Sequence, residues 1–149
     1  MHKIITLMVA GMLVVCCACC AMAGASKADA EGMVKKGIAF VKANGKEKAL
    51  AEFSNPKGQF VKGELYMYVA DQKGTVIAHG TNARLIGKNM YDLKDASGKP
   101  FIQEILKAPK SGGWVEYQWT NPVSRKIEHK ITYVESAGDM VLICGIYNK

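Results

Sequence analysis

The chain carries no familiar catalytic signature. HExxH, a CxxCH haem attachment, a phosphate-binding glycine loop, a nucleophile–base set and a convincing carboxylate pair are all missing. The usual sequence markers of metalloprotease, c-type haem, P-loop and glycosidase chemistry are therefore absent. The reading is not an enzyme, with no cofactor and no metal site. Asp92 to Gly98 has too few oxygen ligands, misplaced, for a calcium loop, and a turn is expected there. An Arg-rich run and a basic helix are also missing, and the lysines are scattered, so no nucleic acid is expected as a partner.

Cysteine is scarce where it would matter. Of the five cysteines, Cys16, Cys17, Cys19 and Cys20 lie in one apolar leader, and only Cys144 lies beyond it. Without a second thiol no internal disulfide forms, so the core must hold the fold unaided. Cys144 sits between Ile143 and Gly145 in an apolar run and is expected to be a buried, inert thiol.

The one long hydrophobic run is Ile4 to Met22, after the short basic start Met1-His2-Lys3. Ala21-Met22-Ala23 has the small-x-small form of a secretory cleavage site. Residues 1–23 therefore read as a signal peptide and residues 24–149 as a single domain, placed in the periplasm. The other reading is an anchor, since the run approaches the ~20 residues of a spanning helix, or a lipidated N-terminus. Contact with the membrane is expected only through such an uncleaved or lipidated end. Loss of Lys3 with the leader takes the 20 basic residues to 19 against 13 acidic ones, a net +6. Such a charge suits a small anion, or no charged partner at all.

What the chain does have is strands, organised around Glu64 to Gly80. Leu65, Met67 and Val69 alternate with Tyr66, Tyr68 and Ala70, so both faces are apolar and the strand should be central. Asp71 to Gly74 supplies a turn. A four-residue turn would set Tyr68 opposite Ile77 and Tyr66 opposite His79, with two phenols and an imidazole on one face.

Ala28 to Asn44 reads as a helix with Ala30, Met33, Val34, Gly37, Ile38 and Val41 on one stripe. Lys46 to Phe53 is a second, short helix. Gly80 to Asp95 is a long connection, of the kind that is often functional. Pro100 opens a third helix bearing Phe101, Ile102, Ile105 and Leu106.

Three strands end the chain: Trp114 to Thr120, Ile127 to Glu135 and Met140 to Tyr147. A turn at Asn121 to Lys126 pairs Tyr117 with Lys130, and one at Ser136 to Asp139 pairs Lys130 with Gly145. One face then holds Val115, Tyr117, Trp119, Lys130, Thr132, Ile143, Gly145 and Tyr147. The other holds Ile131, Tyr133, Leu142, Cys144 and Ile146, an ordinary core face for the long helix. Lys130 among aromatics is costly to bury, by about several kcal/mol, unless paired. A carboxylate ligand would pair it, with tyrosine hydroxyls as further donors. The alternative is that its stem snorkels to water. His79 and His129 read as structural or surface residues on spacing alone. The fold class is α+β, an antiparallel sheet covered by helices.

Several stretches together resemble the single Cache domain of the second type, an extracytoplasmic sensor module of bacterial chemoreceptors and histidine kinases. They are GKEKALAEFSNPKGQFVKGELYMYVADQKGTVIAHG, LIGKNMYDLKDASGKPF, GGWVEYQWTNP, HKITYVE and ICGIY. The resemblance implies a PAS-like antiparallel sheet of five or six strands, the N-terminal helix on one face and a ligand pocket on the other. It implies small organic acids such as acetate, propionate or pyruvate as ligands. It lays Tyr66, Tyr68 and His79 on the central strands, Phe101 at the pocket helix, Tyr117 and Trp119 after the glycines, and Lys130 with Tyr133 on the next strand. These residues, Tyr133 excepted because it falls on the core face, form the candidate ligand site. The chain ends at Lys149 without an output module, so the expectation is a freestanding exported form that serves a membrane receptor or transporter. A non-catalytic accessory subunit of an envelope complex is the second reading.

Overall fold

The structure, a computed structural model, describes residues 24–148. The readings of residues 1–23 as a signal peptide, and of its cysteines, lie outside the described residues. Among the described residues no helix is long and apolar enough to cross a membrane.

Helix α1 spans Lys27–Asn44 and α2 spans Lys46–Phe53. A capping box starts α1: the Ser26 side chain accepts from the Asp29 N–H and the Asp29 carboxylate accepts from the Ser26 N–H, which satisfies two backbone donors the helix cannot reach. Its buried stripe is Ala30, Val34 and Gly37. At Gly37 a Cβ would lie 2.7 Å from Met67 Cε and 3.0 Å from Leu142 Cδ2. The bare backbone thus lets the helix sit close on the sheet.

Strands β1 (Val61–Lys62) and β2 (Leu65–Tyr66) form a small separate ribbon. The main sheet holds β3 (Tyr68–Asp71), β4 (Val76–His79), β5 (Gly113–Thr120), β6 (Ile127–Ala137) and β7 (Met140–Asn148), in the order β4-β3-β7-β6-β5 and antiparallel throughout. Helix α3 (Phe101–Lys107) packs on the face away from α1. The expected α+β architecture, with a PAS-like sheet and the long helix on one side, is what the chain adopts. Five strands form the sheet, and β7, apolar on both faces, is its middle strand.

Three expectations change. The strand expected from Glu64 through Ala70 is interrupted at Met67, whose N–H bonds to the Phe60 carbonyl. The β3–β4 register is also different: Tyr68 faces His79, Val69 faces Ala78 and Ala70 faces Val76, with a bulge between. The Asp71 side chain accepts from the Lys73 and Thr75 N–H groups and tightens the turn. An extra residue then enters β4, so Ile77 and Ala78 both turn toward the helices, as a bulge dictates. The final hairpin turns at Gly138 and Asp139 alone, pairing Ala137 with Met140. Gly138 has φ 64°, which a two-residue hairpin loop requires. Lys130 consequently faces Tyr147, and Thr132 faces Gly145. The shift is by two residues, so every side chain keeps its face.

The two faces separate cleanly. Val34, Phe53, Phe60, Met67, Leu142 and Cys144 belong to the helix side. Tyr66, Tyr68, Phe101, Ile105, Tyr117 and Tyr147 belong to the other. Cys144 is buried, its thiol pushed up to about 12 by burial.

Candidate functional site

The sequence points to seven residues as a candidate ligand site: Tyr66, Tyr68, His79, Phe101, Tyr117, Trp119 and Lys130. All seven line one cavity on the face opposite α1. The sheet brings them there through pleat and register. Tyr66 ends β2, Tyr68 starts β3 and His79 ends β4, with ring centroids 4.9 Å (Tyr66–His79) and 5.6 Å (Tyr68–His79) apart. Tyr117 and Trp119 alternate along β5 with their outward neighbours. Phe101, the first residue of α3, stacks on Tyr117 at 4.4 Å.

Tyr133, which the family resemblance set beside Lys130, lies on the helix side. Its hydroxyl donates to Glu135. His129 is at the surface, 3.3 Å from Glu116.

Lys130 does not snorkel. It is 2% exposed, and its Nζ donates to the Tyr66 hydroxyl at 2.7 Å while lying 4.0 Å from the centre of that ring. The Tyr147 ring is 5.0 Å away on another side. The hydroxyl order is determined. Tyr147 donates its single hydrogen to the Thr120 carbonyl at 3.0 Å, so at 3.1 Å Tyr66 must donate to Tyr147. The chain therefore runs from the amine outward, Lys130 to Tyr66 to Tyr147 to Thr120. Among the described residues no carboxylate forms a salt bridge with Lys130.

Burial without an acid brings the Lys130 amine down to about 7 from its ordinary 10.5. His79 is brought down to about 3, by burial first and by the Lys130 charge second, and is neutral at physiological pH. Its Nδ1 accepts from the N–H groups of Asn82 at 3.0 Å and Thr81 at 3.3 Å. The proton of the neutral ring is therefore on Nε2. Tyr68 is held above its ordinary phenol range by burial and by Asp71. Its hydroxyl is buried with no hydrogen-bond partner among the described residues, an omission that costs about 1–3 kcal/mol. The cavity thus gathers an amine, an imidazole N–H and an unused hydroxyl within a shell of rings.

The enclosed space is small. About 10 Å3 is open to the centre of a water molecule, room for a single water. Its roof comes from the long connection, whose path the sequence left open. Residues 83–85 form a 3-10 turn, and the segment then runs back along β4: the Val76 N–H bonds to the Lys88 carbonyl and the Gly87 N–H to the Val76 carbonyl. That covers the sheet edge and lowers Leu85 and Met90 into the cavity. Neither residue was foreseen, because a loop without periodicity gives no facing. The sequence pattern puts Tyr147 on this face without joining it to the candidate site; the two-residue turn at Gly138-Asp139 sets it beside Lys130.

An antiparallel sheet with a helix on one side and a polar-tipped aromatic cavity on the other defines a sensory domain of the PAS-like class. The sequence profile of the family described as Single Cache domain 2 matches residues 25–149, and the chain belongs to that family. Domains of this family sense ligands outside the cytoplasm. Among solved structures, the chain is similar to a methyl-accepting chemotaxis protein from Vibrio parahaemolyticus RIMD 2210633, at 26% identity and a TM-score of 0.71, over 81% of this chain and 87% of that one. It is similar to a periplasmic sensor domain of a chemotaxis protein, at 25% identity and a TM-score of 0.64, over 80% and 88%. It shares its fold with a Cache chemosensory domain described for carboxylic acid recognition, at 24% identity and a TM-score of 0.62, over 80% and 86%. No curated protein matches the chain.

Proposed function

We propose that this domain senses a short organic carboxylate bound in the Lys130 cavity. One observation carries the reading: a lysine amine buried to 2% exposure, with no acid among the described residues paired to it. Charging a buried amine is expensive until an opposite charge arrives. A carboxylate supplies the charge and also has lone pairs for the Tyr68 hydroxyl and the His79 Nε2–H. Phe101, Tyr117 and Trp119 would enclose a short apolar tail.

Even the smallest organic acid exceeds the room for one water. Binding therefore displaces the roof, and Leu85 and Met90 are the side chains that move. The bound and free states then differ in the position of the 80–95 segment, which is what a sensor needs. Export through a signal peptide at residues 1–23, a domain from residue 24, and a membrane receptor or transporter as recipient of the bound state belong to the same proposal.

A thermal-shift panel of formate, acetate, propionate, pyruvate and their amides tests it. At a hundredfold excess over its dissociation constant a ligand adds roughly 2.7 kcal/mol of stability. The acids should raise the midpoint and the amides should not. An acid's shift that survives intact in Lys130→Met refutes the site.

A further inference from the structure

A second concavity opens beside the first, and its wall holds a feature the sensing site does not use. It is an open cleft of about 410 Å3, within the range of small-molecule sites. Tyr66, His79 and Trp119 form the partition between it and the inner cavity. The chain has only two arginines, Arg84 and Arg125, among its 20 basic residues. Both line this cleft.

They reach it from separate places. Arg84 is the middle residue of the 3-10 turn Ala83–Leu85 on the roof segment. Arg125 lies in the turn that joins β5 to β6. Arg125 has φ 63° and is the one non-glycine with positive φ among the described residues. That conformation favours glycine or asparagine, so the guanidinium is kept at a conformational cost.

Neither guanidinium forms a salt bridge among the described residues. Glu64 and Glu128, the acids at this end of the sheet, are bonded to the Asn121 amide at 3.1 and 2.7 Å. Thr81, Asn82 and Thr120 add polar groups to the wall, while Trp119 and Pro122 add apolar surface.

Planar guanidinium forks match carboxylates two hydrogen bonds at a time. Two forks across one cleft match a ligand with two acidic groups. The ring and proline surfaces match a carbon skeleton between them. We propose that this cleft is a second ligand site, separate from the Lys130 cavity, which takes a di- or tricarboxylate. The proposal stands on the arginine pair and does not depend on an acid occupying the inner cavity.

Calorimetric titration with citrate at constant ionic strength tests it, on the wild type and on Arg84→Gln, Arg125→Gly and Lys130→Met. Glycine at position 125 removes the guanidinium and suits the positive φ, so this variant should fold at least as well as the parent. Citrate should bind the wild type, lose at least tenfold in affinity in each arginine variant, and change less than twofold in Lys130→Met. Three results overturn the proposal: no citrate binding, affinity unchanged in both arginine variants, or loss confined to Lys130→Met, which would place citrate inside. Sulfate that binds as tightly as citrate overturns the organic-acid assignment.

Discussion

Replacing Lys130 with methionine should stabilise the free domain, and by an amount that depends on pH. Methionine keeps most of the stem's packing and removes the amine. The Tyr66 hydroxyl still donates to Tyr147, so the hydroxyl chain stays closed at that end. Folding lowers the Lys130 pKa from 10.5 to about 7. Between those values the unfolded chain holds a proton that the folded chain has released, so wild-type stability rises with pH across that window. At about 1.36 kcal/mol per pH unit, the amine costs roughly 5 kcal/mol at pH 6 and roughly 2 at pH 9. Loss of the amine's hydrogen bond to the Tyr66 hydroxyl offsets about 1.5 kcal/mol of the gain at either pH. Net stabilisation of about 3 kcal/mol is expected at pH 6. The gain at pH 6 should exceed that at pH 9 by about 2.7 kcal/mol. Urea unfolding of both proteins at the two pH values measures it. A gain that does not change with pH would show that the amine is not held uncharged in the fold, and the electrostatic argument would fail.

Three further outcomes follow from the same geometry. Tyr68→Phe removes a buried hydroxyl that has no partner among the described residues, so the free domain should gain about 1 kcal/mol in denaturant unfolding. The same change should weaken acid binding about fivefold to tenfold, the worth of one hydrogen bond. His79 has its pKa lowered from 6.5 to about 3; the unfolded chain takes the proton first on acidification, and stability falls as pH drops from 6.5. His79→Asn should therefore flatten the stability profile between pH 6.5 and 4, by about 3 kcal/mol, as read from unfolding midpoints. Asp95 accepts from Ser97 N–H and hydroxyl, Lys99 N–H and Gln118 N–H, at 2.7–2.9 Å. Burial pushes its carboxyl up, but these bonds outweigh burial and hold it at about 2. Asp95→Ala should cost about 3 kcal/mol at pH 7, and the deficit should shrink as pH falls from 3.8 through about 2.

Much of the candidate site was legible because its residues alternate on strands. The Asn121–Lys126 turn predicts the Tyr117–Lys130 pair, and that pair forms. An error of two residues at the last hairpin left Lys130 on its proper face, since side chains repeat every second position. A bulge is different. It adds one residue and reverses the facing beyond it, so Ile77 was misassigned while His79 came out correctly through a compensating error. The roof was the least legible part. Leu85 and Met90 reach the cavity because Gly87 and Lys88 bond to Val76, a backbone match that no side-chain pattern announces. The Tyr66–Tyr147 contact was hidden for a related reason, since it joins residues 81 positions apart in the chain.

The central claim is that an acid enters to pair with an uncharged amine that becomes charged in doing so. Proton uptake on binding measures this directly, by titrating a confirmed carboxylate ligand at pH 8.5 in buffers of different ionisation enthalpy. With Lys130 at about 7 in the free domain, nearly one proton should be taken up per acid bound, and none in Lys130→Met. Binding without proton uptake in the wild type would contradict the account.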